Sequence, residues 1–220
     1  MNKQFDRRVL DDASLEFVRA CQRRVPCHLG GGAALAGAFL SHRLSRDIDL
    51  FCHDAREHRE LARELGTVAA ECGASLSVQR DGGTFLRAEL TLATRVLVVD
   101  VVHEPQADLE PPPPAIESVV VESLADLRAS KLTCILSRAE PRDLVDLCFL
   151  ERAGFPPESD LHLALKKDAG IDPGILAWLL RQFPVSPLPT MLSPLSSDDL
   201  RAYRDALAER MRKLAVPNES

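Results

Sequence analysis

Asp47 and Asp49 stand two residues apart in the segment Asp47-Ile-Asp-Leu-Phe51. The strict alternation of polar and apolar residues predicts a strand. In a strand, residues i and i+2 share one face, so Ile48 and Leu50 turn to a core while two carboxylates lie side by side on the other face. Like charges so placed repel. A hard divalent cation, which takes oxygen ligands and keeps substrate phosphate as a further ligand, offsets that repulsion. A pair of metals roughly 3.5–4 Å apart can activate an attacking oxygen and stabilise a leaving one. Such a site calls for a third acid. Asp100 is the one charged residue in the run Val96–Val102, and an acid there should not be buried alone. Pairing this run beside residues 47–51 would bring three carboxylates together. Glu89, at the end of the preceding strand, competes for the same role.

The glycines of Leu29-Gly-Gly-Gly-Ala-Ala-Leu35 extend this chemistry. Gly31 and Gly32, just ahead of a helix, let backbone N–H groups approach a phosphate closely. Arg43 can fork onto phosphate oxygens, and Ser45 can donate to one. Each motif alone has a plainer reading: a triple glycine marks a turn, and Asp-x-Asp is common at strand starts. Their combination with an isolated Asp100 points to metal and phosphate.

The elements that must position these residues follow from periodicity. A first helix is expected over 9–23, a short alanine-rich helix over 33–40, and a long one over 54–72. Strands are expected at 75–79 and 84–90, flanking the turn signal Asp81-Gly-Gly83, then at 95–102, with a short one at 116–121. The tetraproline at 111–114 is extended loop. From Ser123 the pattern becomes helical: 124–136, 142–152, 160–167, 174–182 and 198–214, the last led by an N-cap pattern at Ser197. A proline-rich linker crosses 184–194. The division is therefore a mixed α/β part, residues 1–121, and an all-helical part, residues 122–220.

Composition sets outer bounds. The 220 residues carry 45% hydrophobic and 27% charged side chains, ordinary for a globular protein and enough for a real core. No leader or membrane-spanning run stands out, so a soluble, cytoplasmic protein with no membrane partner is expected. The six cysteines include no C-x-x-C pair, and they read as free thiols acting as small hydrophobes. A net charge of −6 argues against non-specific coating of nucleic acid, while leaving room for local basic faces. His28 and His103 read as structural, His53 and His58 as solvated, and Trp178 as helical core.

The order Gly-Gly, short helix, His42-Arg-Leu-Ser-Arg-Asp-Ile-Asp, together with Lys131-Leu-Thr-Cys-Ile-Leu-Ser-Arg138 and Arg142-Asp-Leu-Val-Asp-Leu147, resembles the AbiEii/AbiGii toxin family of nucleotidyltransferases, within the DNA polymerase β-like superfamily. The resemblance spans roughly residues 27–150. It implies a nucleotidyltransferase core with a small mixed sheet, followed by a helical C-terminal domain. It implies that Asp47, Asp49 and Asp100 hold Mg2+ or Mn2+, that Gly31 and Gly32 hold the triphosphate of an NTP, and that Lys131 contacts phosphate. Asp143 or Asp146 would line the site. The acceptor implied is RNA, notably tRNA, and the partner an antitoxin. The bare residues leave other outcomes open: a small-molecule or protein acceptor, an inactive nucleotide-binding relative, or an ordinary helix-surface ion pair between Arg142 and Asp146. Ala33 departs from the family, which often has Thr or Ser there, so one hydroxyl contact to phosphate is missing.

Overall fold

The computed structural model describes residues 4–93 and 95–216. The chain divides into two compact units between Ser123 and Leu124.

The first unit is built on a five-stranded mixed sheet. Its strands are β1 (His28–Gly30), β2 (Asp47–Cys52), β3 (Ser75–Asp81), β4 (Phe85–Thr91) and β5 (Val96–His103). They lie side by side in the order β1-β2-β5-β4-β3. The β2–β5 pair is parallel, and the other neighbours are antiparallel. The parallel pair needs a crossover, and the chain supplies one through helix α3 (Ala55–Glu71) and the β3–β4 hairpin. The hairpin turn falls where glycines permit it. Gly83 has φ +78°, and its N–H donates to Asp81 Oδ1 at 3.1 Å.

Alternation sorts the sheet into two faces. Leu29, Ile48, Leu50, Ala88, Leu90, Val99 and Val101 are fully buried on one face. Helix α3 packs there with a stripe of His58, Leu61, Leu65, Val68 and Ala69, the spacing of an amphipathic helix. Each buried Leu or Val contributes about 1.5–3 kcal/mol. Asp54 starts α3 with a capping box closed by Glu57. Helix α1 (Asp12–Arg24) starts on Asp11, whose carboxylate accepts from Ser14 N at 2.8 Å. His58, expected in solvent, is 1% exposed. It sits on the α3 stripe, where its Nε2 meets the Val101 carbonyl at 3.3 Å.

One strand goes beyond the sequence reading and two local readings change. The segment ending in Gly30 is a strand, because His28–Gly30 finds β2 as an antiparallel partner. The stretch expected as one helix over 33–40 is α2 (Gly31–Ala34) running into a π-helical turn, Leu35–Leu40. Residues 116–121 form isolated bridges, Ile116 to Val119 and Val121 to Leu29.

In the second unit the named elements are α4 (Leu124–Ser137), α5 (Pro141–Arg152), a 3-10 turn (Pro157–Asp160), α6 (Leu161–Lys167), α7 (Pro173–Arg181) and α8 (Ser197–Ala215). The cap of α8 is Ser196, one residue earlier than expected, because only Ser196 has a partner at the capping-box distance, Asp199. Trp178 is 65% exposed. The α7 stripe that is buried runs through Leu176, Ala177 and Leu180, so the indole falls on the opposite side. No helix among the described residues is long and apolar enough to cross a membrane.

Candidate active site

Strand β2 buries every second residue, and the alternate set carries the acids. Asp47 and Asp49 therefore share the face opposite Ile48 and Leu50. The parallel register sets Asp49 directly against Asp100, and Asp47 against Val98. Glu89 lies against Val98 on the far side, on β4. It is one strand further from β2 than Asp100 is. Asp100 is 6% exposed and is not left alone. Arg87, its register partner on β4, donates Nε and Nη2 to the two carboxylate oxygens at 2.8 and 2.6 Å. The bond to Asp100, with the charges of Asp47 and Asp49 behind it, raises the Arg87 pKa above its ordinary value against the opposing effect of burial. A carboxylate has about four lone-pair sites, so the fork leaves Asp100 with acceptor capacity.

The glycines stand against this acidic face. Gly31 opens α2 with φ +61°, a backbone conformation that disfavours a side chain. A Cβ on Gly31 would lie 1.9 Å from Asp49 Oδ2. A Cβ on Gly32 would lie 2.5 Å from Arg43 Nη2, and one on Gly30 would lie 2.0 Å from Glu122 Oε2. Three consecutive glycines thus let the backbone meet an aspartate, an arginine and a glutamate. Gly30, at the N-cap, supplies no side-chain cap to the first turn. Arg43 is buried, with Nη1 donating to the Leu44 carbonyl at 2.9 Å. Ser45 is also buried, and its hydroxyl makes a long contact of 3.4 Å to the Asp47 carbonyl. Ala33 is fully buried.

The second unit holds its own charge cluster. Lys131 on α4 lies 3.1 Å from Asp143 and 2.7 Å from Asp146 on α5. Arg138 forks onto Asp143 at 2.8 and 2.9 Å. Asp143 and Asp146 are one helical step apart, i and i+3, and so face Lys131 together. Lys131 and both aspartates are nearly or fully buried. Two cations answer two anions, which is how buried charge is tolerated. Arg142 pairs with Glu140 at 2.5 Å.

Sequence reasoning missed two residues here. Arg87 was legible only through hairpin register, since alternation puts it on the same face as Glu89 but not beside a given acid. Glu122 lies just past the last bridge of the unit, where its N–H donates to the Leu29 carbonyl at 3.0 Å. No periodic signal marks it.

Comparison with known proteins gives the family and the fold. The family model described as nucleotidyl transferase AbiEii toxin, type IV toxin–antitoxin system, matches residues 20–218. Among curated proteins, none matches the chain. Among solved structures, a candidate nucleotidyltransferase from H. pylori superposes with a TM-score of 0.58 at 19% identity, covering 91% of this chain and 92% of that one. JHP933 from Helicobacter pylori gives 0.57 at 18% identity, over 94% of each chain. MenT4, the nucleotidyltransferase toxin Rv2826c from Mycobacterium tuberculosis H37Rv, gives 0.54 at 17% identity, over 95% of this chain and 89% of that one. The structural likenesses establish a shared fold. The family match runs through both the glycine–aspartate segment and the Lys131–Asp146 helices, and the chain belongs to the AbiEii family of nucleotidyltransferase toxins.

Proposed function

We propose that this chain transfers a nucleoside monophosphate from an NTP to a hydroxyl of RNA, with tRNA the foremost acceptor, and that an antitoxin restrains it. The observation that carries the reading is the apposition of Gly31 to Asp49, with Asp100 in register beside it.

The residues fit a hard divalent cation. The donors are all carboxylate oxygens, as Mg2+ or Mn2+ prefers. A Cβ at position 31 would fill the space against Asp49. Asp47, Asp49 and Asp100 would hold the metal. Bound there, it would neutralise triphosphate charge and polarise the attacking and leaving oxygens.

The remaining work falls to the chain itself. Backbone N–H groups at Gly31 and Gly32 cradle phosphate oxygens. Arg43, fixed behind Gly32, adds positive charge, and Ser45 donates a hydrogen bond. The acceptor oxygen attacks the α-phosphorus in line. The new P–O bond forms as the bond to the β-phosphate oxygen breaks, and pyrophosphate leaves with the electron pair. Asp100 accepts the acceptor's proton. Preorganised charge, more than any covalent step, sets the rate. A phosphate contact by Lys131, with Asp143 and Asp146 holding its ammonium, rests on the family resemblance.

The test is transfer from α-labelled NTPs onto total RNA with Mg2+ or Mn2+, comparing the unaltered chain with Asp49→Ala. The expected result is labelled RNA of tRNA size from the unaltered chain and none from the variant. Labelling that survives in Asp49→Ala would overturn the site. No labelling with any nucleotide would move the acceptor to a small molecule or a protein, or mark an inactive relative.

A further inference from the structure

The first unit carries a second group of metal-ligating side chains that the transfer reaction does not use. His28 begins β1, His53 follows the end of β2, and Asp108 lies in the irregular connection after β5. One ligand atom from each lies within 4.8 Å of the other two. We propose that His28, His53 and Asp108 form a binding site for a transition-metal ion of borderline softness, Zn2+ foremost, separate from the carboxylates of β2 and β5.

Geometry supports the assignment first. His53 Nε2 lies 3.0 Å from Asp108 Oδ1, and His28 Nδ1 lies 3.8 Å from the same oxygen. Ligands of a tetrahedral Zn2+, at about 2.0–2.1 Å from the ion, stand about 3.4 Å from each other. The observed separations bracket that spacing, so small side-chain rotations would close them on an ion. The two imidazoles meet edge to face with ring centres 5.3 Å apart, and one nitrogen of each lies within reach of the same Asp108 oxygen.

Support behind the ligands is the second observation. His53 Nδ1 faces the Glu104 carbonyl at 2.8 Å. That bond fixes the ring and leaves Nε2 on the side of Asp108, the backbone anchoring that metal-binding histidines use. Glu104 is itself held, its N–H donating to the Cys52 carbonyl at 2.9 Å. His28 is set by the β1–β2 ladder, in register with Phe51. His28 therefore stands on a strand, His53 stands just past a strand end with its ring anchored, and Asp108 comes from a loop.

Chemistry separates this site from the other. Two nitrogen donors and one oxygen suit Zn2+, Co2+ or Ni2+, whereas Mg2+ takes oxygen donors. The side chains are 18%, 33% and 25% exposed for His28, His53 and Asp108, so an ion can enter from solvent and keep a water as its remaining ligand. His28 stands opposite Phe51, two residues beyond Asp49, and His53 stands four residues beyond it, about 7 and 13 Å along the strand at strand spacing. The two groups share no ligand and differ in donor chemistry. Bound metal would tie the ends of β1 and β2 to the loop after β5.

The test uses the full chain, stripped with a chelator and titrated with Co2+. With millimolar Mg2+ present to occupy the carboxylates of β2 and β5, the expected result is one nitrogen-ligated Co2+ per chain, read by its visible absorption, displaced by Zn2+ and not by the Mg2+. Binding should weaken at least about 10-fold in His53→Ala and in Asp108→Asn, and persist in Asp47→Asn/Asp49→Asn. Asp108 lies in a loop, so its variant should fold normally, and thermal unfolding checks this. The proposal is overturned if the unaltered chain gives no such absorption, if both ligand variants bind as tightly as it does, or if the β2 double variant loses the site.

Discussion

Gly31 and Asp49 approach so closely that a Cβ at position 31 would lie 1.9 Å from Asp49 Oδ2, with Gly31 held at φ +61°. Both facts forbid a side chain there. Gly31→Ala should displace the Asp49 carboxylate and strain the backbone by roughly 1–2 kcal/mol. Urea unfolding should register that loss. Transferase activity should fall far more than the modest stability change explains. Activity retained at the wild-type level would show that the approach has no bearing on transfer.

Arg87 holds Asp100 on the face that also carries Asp47 and Asp49. Arg87→Met removes that counter-charge. Because Arg87 is 48% exposed, solvent screening limits the pair, and a loss of about 1 kcal/mol is expected without metal. Mg2+ should restore more stability to Arg87→Met than it adds to the unaltered chain, because the cation takes over the neutralising role. Thermal melts with and without Mg2+ decide this, and equal Mg2+ responses would contradict it.

Lys131 sits between Asp143 and Asp146 with almost no exposure. Lys131→Met leaves a net negative buried cluster, and removing one partner of a buried pair typically destabilises by about 3–5 kcal/mol. Chemical denaturation should reveal a loss of that order. A change below about 1 kcal/mol would mean that the cluster is solvated in solution.

The same cluster sets an acid limit. Burial pushes the Asp143 carboxyl up, but Lys131 and Arg138 more than reverse this, and its pKa is lowered overall. A carboxyl with a lowered folded value contributes stability that is fully present above its unfolded value, about 3.9. That contribution is lost as pH falls through the folded value. Unfolding free energy should drop below about pH 4, and less steeply in Asp143→Asn. Parallel slopes for the two proteins would remove Asp143 from the account.

Burial raises the Cys21 and Cys52 thiols to about 12, and Cys27 higher still. The thiolate is the reactive form. At pH 8 these three should react with a maleimide at least about 100-fold slower in the folded chain than in urea. Mass mapping of the labelled cysteines measures it, and rapid native labelling at Cys21 would contradict the buried placement.

Much of this protein is written in short-range pattern. Alternation in residues 47–51 separates Asp47 and Asp49 from Ile48 and Leu50, and a strand can present that pattern in only one way. The helical spacing of residues 54–72 foretells the buried stripe of α3, because an amphipathic helix has one apolar side to bury. What lies outside such patterns needed partners distant in sequence. His28–Gly30 is a strand because β2 offers it hydrogen bonds, and three residues carry too little periodicity to announce this. Asp100 over Glu89 as the acid beside Asp49 is a matter of strand order, with β5 next to β2 and β4 one place further. Arg87 on Asp100, Glu122 beside Gly30, and Asp108 against His53 are contacts across 13, 92 and 55 residues. Local propensity acts over a few residues along the chain, whereas charge and close contact act through space. The residue types and their faces were therefore decided by the sequence, and the company each one keeps was decided by the tertiary fold.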